Sequence, residues 1–346
     1  MTRKNDTMIP DQLADPFGER SARMVRKQLQ LLGGRFQFES NSPRLLRLVD
    51  VAYAGLPRHR LSAVVPRLKV RLLLGPAARP LARRPGDPPP PIAMFSGAGF
   101  LGGSTNSSNF VVVSAQERAA LVAVSPPMAR FSYHTRYELI EFAVFTLASR
   151  SQGLISLHAA CVGRAGRGIL LMGPSGSGKS TVTLQCLLRG FDFLSEDSVF
   201  VAPDTMLATG VPNFLHVRSD SLRWLKRTRD AVSIRNSPVI RRRSGIRKFE
   251  VDLRRGHYRL APAPLKIVAV VFLSPHSAGA RPLLEPLPKA RMLANLADAQ
   301  AYATNHPQWS TFSGSMTKLD AFELRRGRHP LEAVEVLREL LRSPAR

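Results

Sequence analysis

Apolar and polar positions divide the chain into two stretches of different rhythm. In the first, Arg35 to Glu39 alternates with period two and predicts a strand. Ser40-Asn41-Ser42 can cap a helix running from about Pro43 to Tyr53, which Gly55 ends. Leu68 to Leu74 alternates as another strand, and Ile92 to Phe95, Phe110 to Val113 and Ala119 to Val124 read as short strands of the same α+β unit. Residues 75–91, rich in Pro and Arg, predict an extended loop that cannot pack. Arg136 to Arg150 has helical spacing, with Leu139, Phe142, Phe145 and Leu147 on its apolar side.

Beyond that helix the rhythm changes. Ile155 to Val162 predicts a strand, Gly163 to Gly166 a turn, and Gly168 to Met172 a second strand, so a hairpin rather than a crossover delivers the chain to residue 173. A helix from Lys179 to Arg189 ends at Gly190. Phe191 to Leu194 and Val199 to Val201 predict strands on either side of Glu196-Asp197. A basic, partly helical stretch (215–248) follows, then a strand (Lys266 to Ser274), a helix near 289–301 and a final helix (Leu331 to Arg342). The fold class this implies is α/β. A basic flexible tail (1–30) leads to a smaller α+β domain (31–130), then to a domain with a mixed sheet (131–346).

The strand–loop–helix at 168–189 carries the chemistry. Gly173-Pro174-Ser175-Gly176-Ser177-Gly178-Lys179-Ser180 fits G-x-x-x-x-G-K-[ST], the phosphate-binding P-loop, and Thr181 continues it. Glycines let successive N–H groups turn inward, and the helix N-terminus adds partial positive charge. Lys179 would neutralise β- and γ-phosphates, and the Ser180 hydroxyl would be a Mg²⁺ ligand, which makes ATP with Mg²⁺ the expected cofactors. Phosphoryl transfer also needs carboxylates. Glu196 and Asp197 stand 17 and 18 residues past Lys179. The helix carries the chain roughly 16 Å away at about 1.5 Å per residue, and the short strand brings it back. One acid could hold the metal while the other orients or deprotonates an attacking hydroxyl.

Composition narrows the setting. The 346 residues, 44% of them hydrophobic, suffice for one large or two ordinary domains. The N-terminus has no apolar core of a secretory signal, and no apolar run reaches membrane-spanning length, so a cytoplasmic protein is expected. Cys161 and Cys186 lie in apolar runs and read as buried free thiols. The net charge of +25 is mostly arginine spread along the chain, densest at Arg79–Arg84, Arg223–Arg229 and Arg241–Lys248. No aromatic residues interleave with these runs as in nucleic-acid binders, so a nucleic-acid partner is not expected.

The run His158-Ala159-Ala160-Cys161-Val162, the P-loop, its helix and Phe193-Leu194-Ser195-Glu196-Asp197-Ser198-Val199 resemble the C-terminal catalytic domain of HPr kinase/phosphorylase. That fold is shared with ATP-dependent phosphoenolpyruvate carboxykinase, and the matching stretch is about 150–202. The resemblance implies a kinase acting on a hydroxyl, a serine of a protein or peptide, or a small molecule. It implies Lys179 on the phosphates, Ser180 (or Thr181) and Asp197 on the metal, Glu196 as base toward the acceptor, and His158 near the γ-phosphate. Homo-oligomers also occur in the family. Two departures stand out. Glu replaces Asp at 196, and the family's Glu-hydrophobic-Arg-Gly motif, tied to phosphorolysis, is absent between 202 and 262. Arg241, Arg242, Arg243, Arg247 and Lys248 are candidates to stabilise transition-state charge. The alternatives are a small-molecule P-loop kinase, whose sheet would be parallel and fed by a crossover, and a non-catalytic nucleotide-binding regulatory module.

Overall fold

A computed structural model describes residues 23–75, 88–225 and 228–342. Most of the expected tail and the centre of the Pro-rich loop fall outside these residues. The end of the tail corrects the expectation: Val25–Leu31 is a strand (β1). It pairs antiparallel with β2 (Gly34–Ser40) through Leu32-Gly33, whose φ values of 50° and 80° make the primed turn that suits a tight hairpin. From β2 the chain enters α1 (Pro43–Tyr53) and returns parallel to β2 as β3 (Arg67–Leu74). The strands β4 (Ala93–Gly97), β5 (Phe100–Asn106), β6 (Asn109–Ser114) and β7 (Ala119–Val124) form an antiparallel meander. Its last strand lies parallel to β3 and completes a seven-stranded sheet. β5, with Gly102, Gly103 and three polar residues, had no apolar alternation to announce it.

Residues 132–152 are one continuous helical run. It opens with an α-helical turn at Ser132–His134, is π-helical over Thr135–Ile140, and continues as α2 (Glu141–Gln152). Gly153 ends it in the left-handed conformation at φ 65°. Leu139, Val144 and Leu147 pack into the core of the first sheet beside Phe36, Phe38 and Tyr53, and Phe200 and Val211 from later in the chain join the same cluster. The helix placed by sequence at the head of the second domain thus covers the sheet of the first.

The strand expected over Ile155 to Val162 is two strands. β8 (Ile155–Leu157) and β9 (Ala160–Arg164) break at His158-Ala159 because they serve different partners. β8 pairs with β12 (Val199–Val201), while β9 pairs antiparallel with β10 (Arg167–Met172) and with β11 (Asp192–Ser195). Ala165 and Gly166, at φ 51° and 77°, turn the β9–β10 hairpin. On its other side β10 runs parallel to β13 (Leu265–Ser277). Both faces of this nine-stranded mixed sheet are covered, which is why Gly168 to Met172 reads as an unbroken apolar run. Ile169 and Leu171 face α3 (Lys179–Leu188) and the C-terminal helix Pro330–Arg342, against Val182, Cys186, Val334 and Leu337. Leu170 and Met172 face the helices Lys289–Ala299 and Trp309–Met316, against Met292, Leu296 and Phe312. The α/β class with a mixed sheet behind a smaller α+β portion is what the pattern implied. Cys161 and Cys186 are free and buried, as expected.

Candidate functional site

The loop after β10 takes a conformation that L side chains resist. Gly173, Gly176 and Gly178 have φ of 146°, 81° and 106°. A Cβ on Gly173 would meet the Leu273 carbonyl oxygen at 2.8 Å and Ser177 Oγ at 2.9 Å. Gly178 caps α3, whose free N–H groups open onto the loop. Lys179 is buried, and its Nζ donates to the Gly173 carbonyl at 2.6 Å. Burial draws its pKa below the ordinary lysine value, and Asp197 and Glu196 partly restore it. From the end of the strand Asp320–Arg326, Arg326 reaches across to donate to the Gly176 carbonyl at 2.7 Å.

The acidic pair leaves β11 beside this loop. Glu196, 3% exposed, accepts a hydrogen bond from Ser180 Oγ through Oε1 and from the His216 backbone N–H through Oε2 at 2.9 Å. Thr181, the other hydroxyl candidate, is bonded to Ser221 Oγ at 2.9 Å. Asp197 turns the other way. Its Oδ2 accepts from Arg242 at 2.8 Å, and its side chain is 35% exposed. The environments push the two acids apart. Burial, then the Asp197 charge, raises the Glu196 pKa despite His216 and Ser180. Burial also pushes Asp197 up, but Arg242 and His216 outweigh it and hold that carboxyl below its usual range.

His158 sits at the β8–β9 break. Its backbone N–H donates to Gln300 Oε1 at 2.7 Å, and its ring faces the Asp197 carbonyl. Burial lowers its pKa, and the nearby Asp197 charge partly offsets this. Of the five basic candidates, Arg242 reaches the acids. Arg243 instead binds Glu138 and the Pro89 and Pro90 carbonyls, while Arg241 and Arg247 are exposed cross-strand neighbours on a small three-stranded sheet. Lys248 lies beside Arg247, half-buried.

Sequence reasoning missed four residues here. His216, on the strand Phe214–Val217, brings Nδ1 to 3.7 Å from Glu196 Oε2 and 4.0 Å from Asp197 Oδ2. Its Nε2 meets the Tyr137 hydroxyl at 2.9 Å, and that hydroxyl donates to Glu250, which also binds Arg136. One ligand atom each from Glu196, Asp197 and His216 lie within 4.8 Å of one another. With the Ser180 hydroxyl against Glu196, this is a hard, oxygen-rich donor set that fits Mg²⁺. Arg326, Tyr137 and Glu141 complete the surroundings. No spacing motif marks these residues, because long-range pairing assembles them.

No family model matches the chain. The HPr kinase/phosphorylase of Lachnoclostridium phytofermentans is 29% identical over 147 residues. The chain is HPr kinase-like. The aligned part covers 41% of the chain and 45% of the relative, less than half the length of either. Among solved structures, the Hpr(Ser) kinase/phosphatase from Coxiella burnetii aligns over 53% of this chain and 88% of that one, at 12% identity and a TM-score of 0.27. Among the described residues, no helix is long and apolar enough to cross a membrane.

Proposed function

We propose that the chain is an ATP- and Mg²⁺-dependent kinase that transfers the γ-phosphoryl group to a hydroxyl, a serine of a protein or peptide. The observation that carries this reading is the contact between Ser180 of the P-loop and Glu196 of the acidic pair. It sets a phosphate cradle and two carboxylates of divergent acidity against one another. The antiparallel β9 beside the P-loop strand favours this reading over a small-molecule kinase with an all-parallel sheet.

The geometry favours a division of labour opposite to the one the resemblance implies. Glu196, buried and bonded to Ser180, would hold Mg²⁺ with that hydroxyl, and His216 would brace it. Bound Mg²⁺ would supply charge neutralisation between the β- and γ-phosphates. Asp197, the more exposed acid, would orient the acceptor hydroxyl and take its proton. Little basicity is needed for a loose transition state. Lys179, Arg326 and the Gly176–Ser180 amides would hold the phosphates, and Arg242 and His158 would steady the Asp197 end.

Titration calorimetry with Mg-ATP tests the core of this. Lys179→Ala should weaken binding by about 10- to 100-fold, the value of a charge-assisted contact of roughly 1.5–3 kcal/mol. Unchanged binding ends the reading. Turnover as a function of Mg²⁺ tests the division. Glu196→Gln should raise the Mg²⁺ needed for half-maximal rate, whereas Asp197→Asn should lower kcat at an unchanged Mg²⁺ requirement. The reverse pattern restores the roles implied by the resemblance.

A further inference from the structure

A cavity of about 760 Å³ opens beside Glu196 and Asp197. That is the size of a small-ligand site. The acids and His158 form one side of it. The facing wall is Tyr133, Tyr137, Glu141 and Phe142, from the helical run that packs on the first sheet. The acceptor side of the site is therefore built by chain that lies outside the P-loop unit's own sheet.

The cavity does not share the charge of the molecule. The chain carries a net +25, yet the acidic side chains around the cavity outnumber the arginines bonded to them. Arg242 binds Asp197, Arg243 binds Glu138, and Arg136 binds Glu250. Glu196 is bonded to Ser180 and His216. Glu141 remains. It is 6% exposed, it lines the cavity, and its Oε1 has no hydrogen-bond partner. Arg136 and Arg242 act on it only through space. Leaving such an oxygen buried and unpaired costs about 1–3 kcal/mol, a cost that a ligand donor relieves once the carboxyl turns toward the cavity. Tyr133 beside it lines the cavity as well, while one face of Tyr137 is already covered by the Arg136 guanidinium at 4.5 Å.

We propose that this cavity holds the acceptor, and that the acceptor is an alcohol carrying an amine, to which Glu141 gives up its proton to form an ammonium–carboxylate pair while the hydroxyl meets Asp197. The proposal rests on the kinase reading above. In the transfer, the acceptor oxygen forms a bond to the γ-phosphorus and the bond from that phosphorus to the β,γ-bridging oxygen breaks. ADP leaves with that electron pair, and the hydroxyl proton passes to Asp197 and on to solvent. A small amino alcohol and the N-terminal serine of a peptide share this chemistry.

Ligand-observed NMR on the full chain with Mg²⁺ and a non-hydrolysable ATP analogue tests the proposal. The probes are phenylalaninol, the dipeptide amide Ser-Phe-NH₂, and the N-acetyl form of each. At least one free amine should bind about ten-fold or more tighter than its acetylated form, and Glu141→Gln should erase the difference. A preference for phenylalaninol identifies a small-molecule acceptor, and one for Ser-Phe-NH₂ a peptide end. If Glu141→Gln does not fold, Thr146→Phe, which fills the cavity from farther along the same helix, must abolish amine binding. The idea is overturned if neither amine binds, if the acetylated probes bind equally, or if the preference survives substitution. Nucleotide binding in the same samples separates the two levels. Loss of amine preference with nucleotide bound removes this inference alone, while absence of nucleotide binding removes the kinase reading.

Discussion

Glu141→Gln makes the pH dependence of stability report on the buried wall of the cavity. Burial raises the Glu141 carboxyl from 4.5 to about 8. Glu250 and Asp197 add to the rise, against the pull of Arg136 and Arg242. A folded pKa above the unfolded one means that the folded chain keeps a proton which the unfolded chain releases. The stabilisation tied to that proton is complete below about pH 4.5 and is lost as the pH climbs to about 8. Within the window each pH unit is worth about 1.4 kcal/mol, and the full ~3.5 units accumulate to about 5 kcal/mol. Gln has nearly the same shape and cannot ionise, so it removes the slope whatever it does to the intercept. Urea unfolding of both chains at pH 5.5 and 7.5 reads this directly. The stability difference between them should move by about 3 kcal/mol in favour of Gln. Groups that titrate in both chains, His158 among them, drop out of that difference. Parallel profiles for the two chains would refute the argument and, with it, the picture of a desolvated, poorly compensated acid.

The remaining expectations can be checked on the same material. Glu250→Ala should cost about 3–5 kcal/mol in urea unfolding, since it strands the buried Arg136 guanidinium and frees the Tyr137 hydroxyl from its acceptor. A loss below about 1 kcal/mol would show that the pair is solvated. Gly210→Ala should lower both stability, by about 1–3 kcal/mol, and turnover. Its Cβ would lie 2.6 Å from the Leu194 carbonyl oxygen and 2.7 Å from Ser195 Cβ, just ahead of the acidic pair; a fully active variant would show that the pair's position is not tight. Arg242→Ala should raise the Asp197 pKa toward the ordinary carboxylate value, because it removes the cation that holds it down. The acid limb of the pH–rate profile should then move to higher pH, and an unmoved limb would sever Asp197 from the rate.

Legibility followed sequence distance. The strand, loop and helix at 167–188 are local, and glycine spacing with apolar flanks described them almost to the residue. Glu196 and Asp197 could be placed because only one helix and one strand separate them from the loop. His216 could not, since pairing with the strand Arg247–Asp252 aims it at the acids. Glu250 and Arg326 arrive from farther still. The single strand read over Ile155 to Val162 failed for a related reason. Its residues are mostly apolar, and the break at His158 comes from a change of pairing partner that composition does not record. β1, with charged and amide side chains at most positions, looked like part of a tail because only the hairpin with β2 gives it a structure.

The helical run at 132–152 belongs to one hydrophobic core and overlooks the chemistry of another. Phosphate-handling groups and the wall opposite them therefore answer to different packing constraints. Substitutions on Tyr133, Tyr137 or Phe142 can retune what enters the cavity without disturbing the glycine loop, whose shape is set by β10 and β13. A lineage could exchange its acceptor by redrawing this one helix and keep its nucleotide machinery untouched.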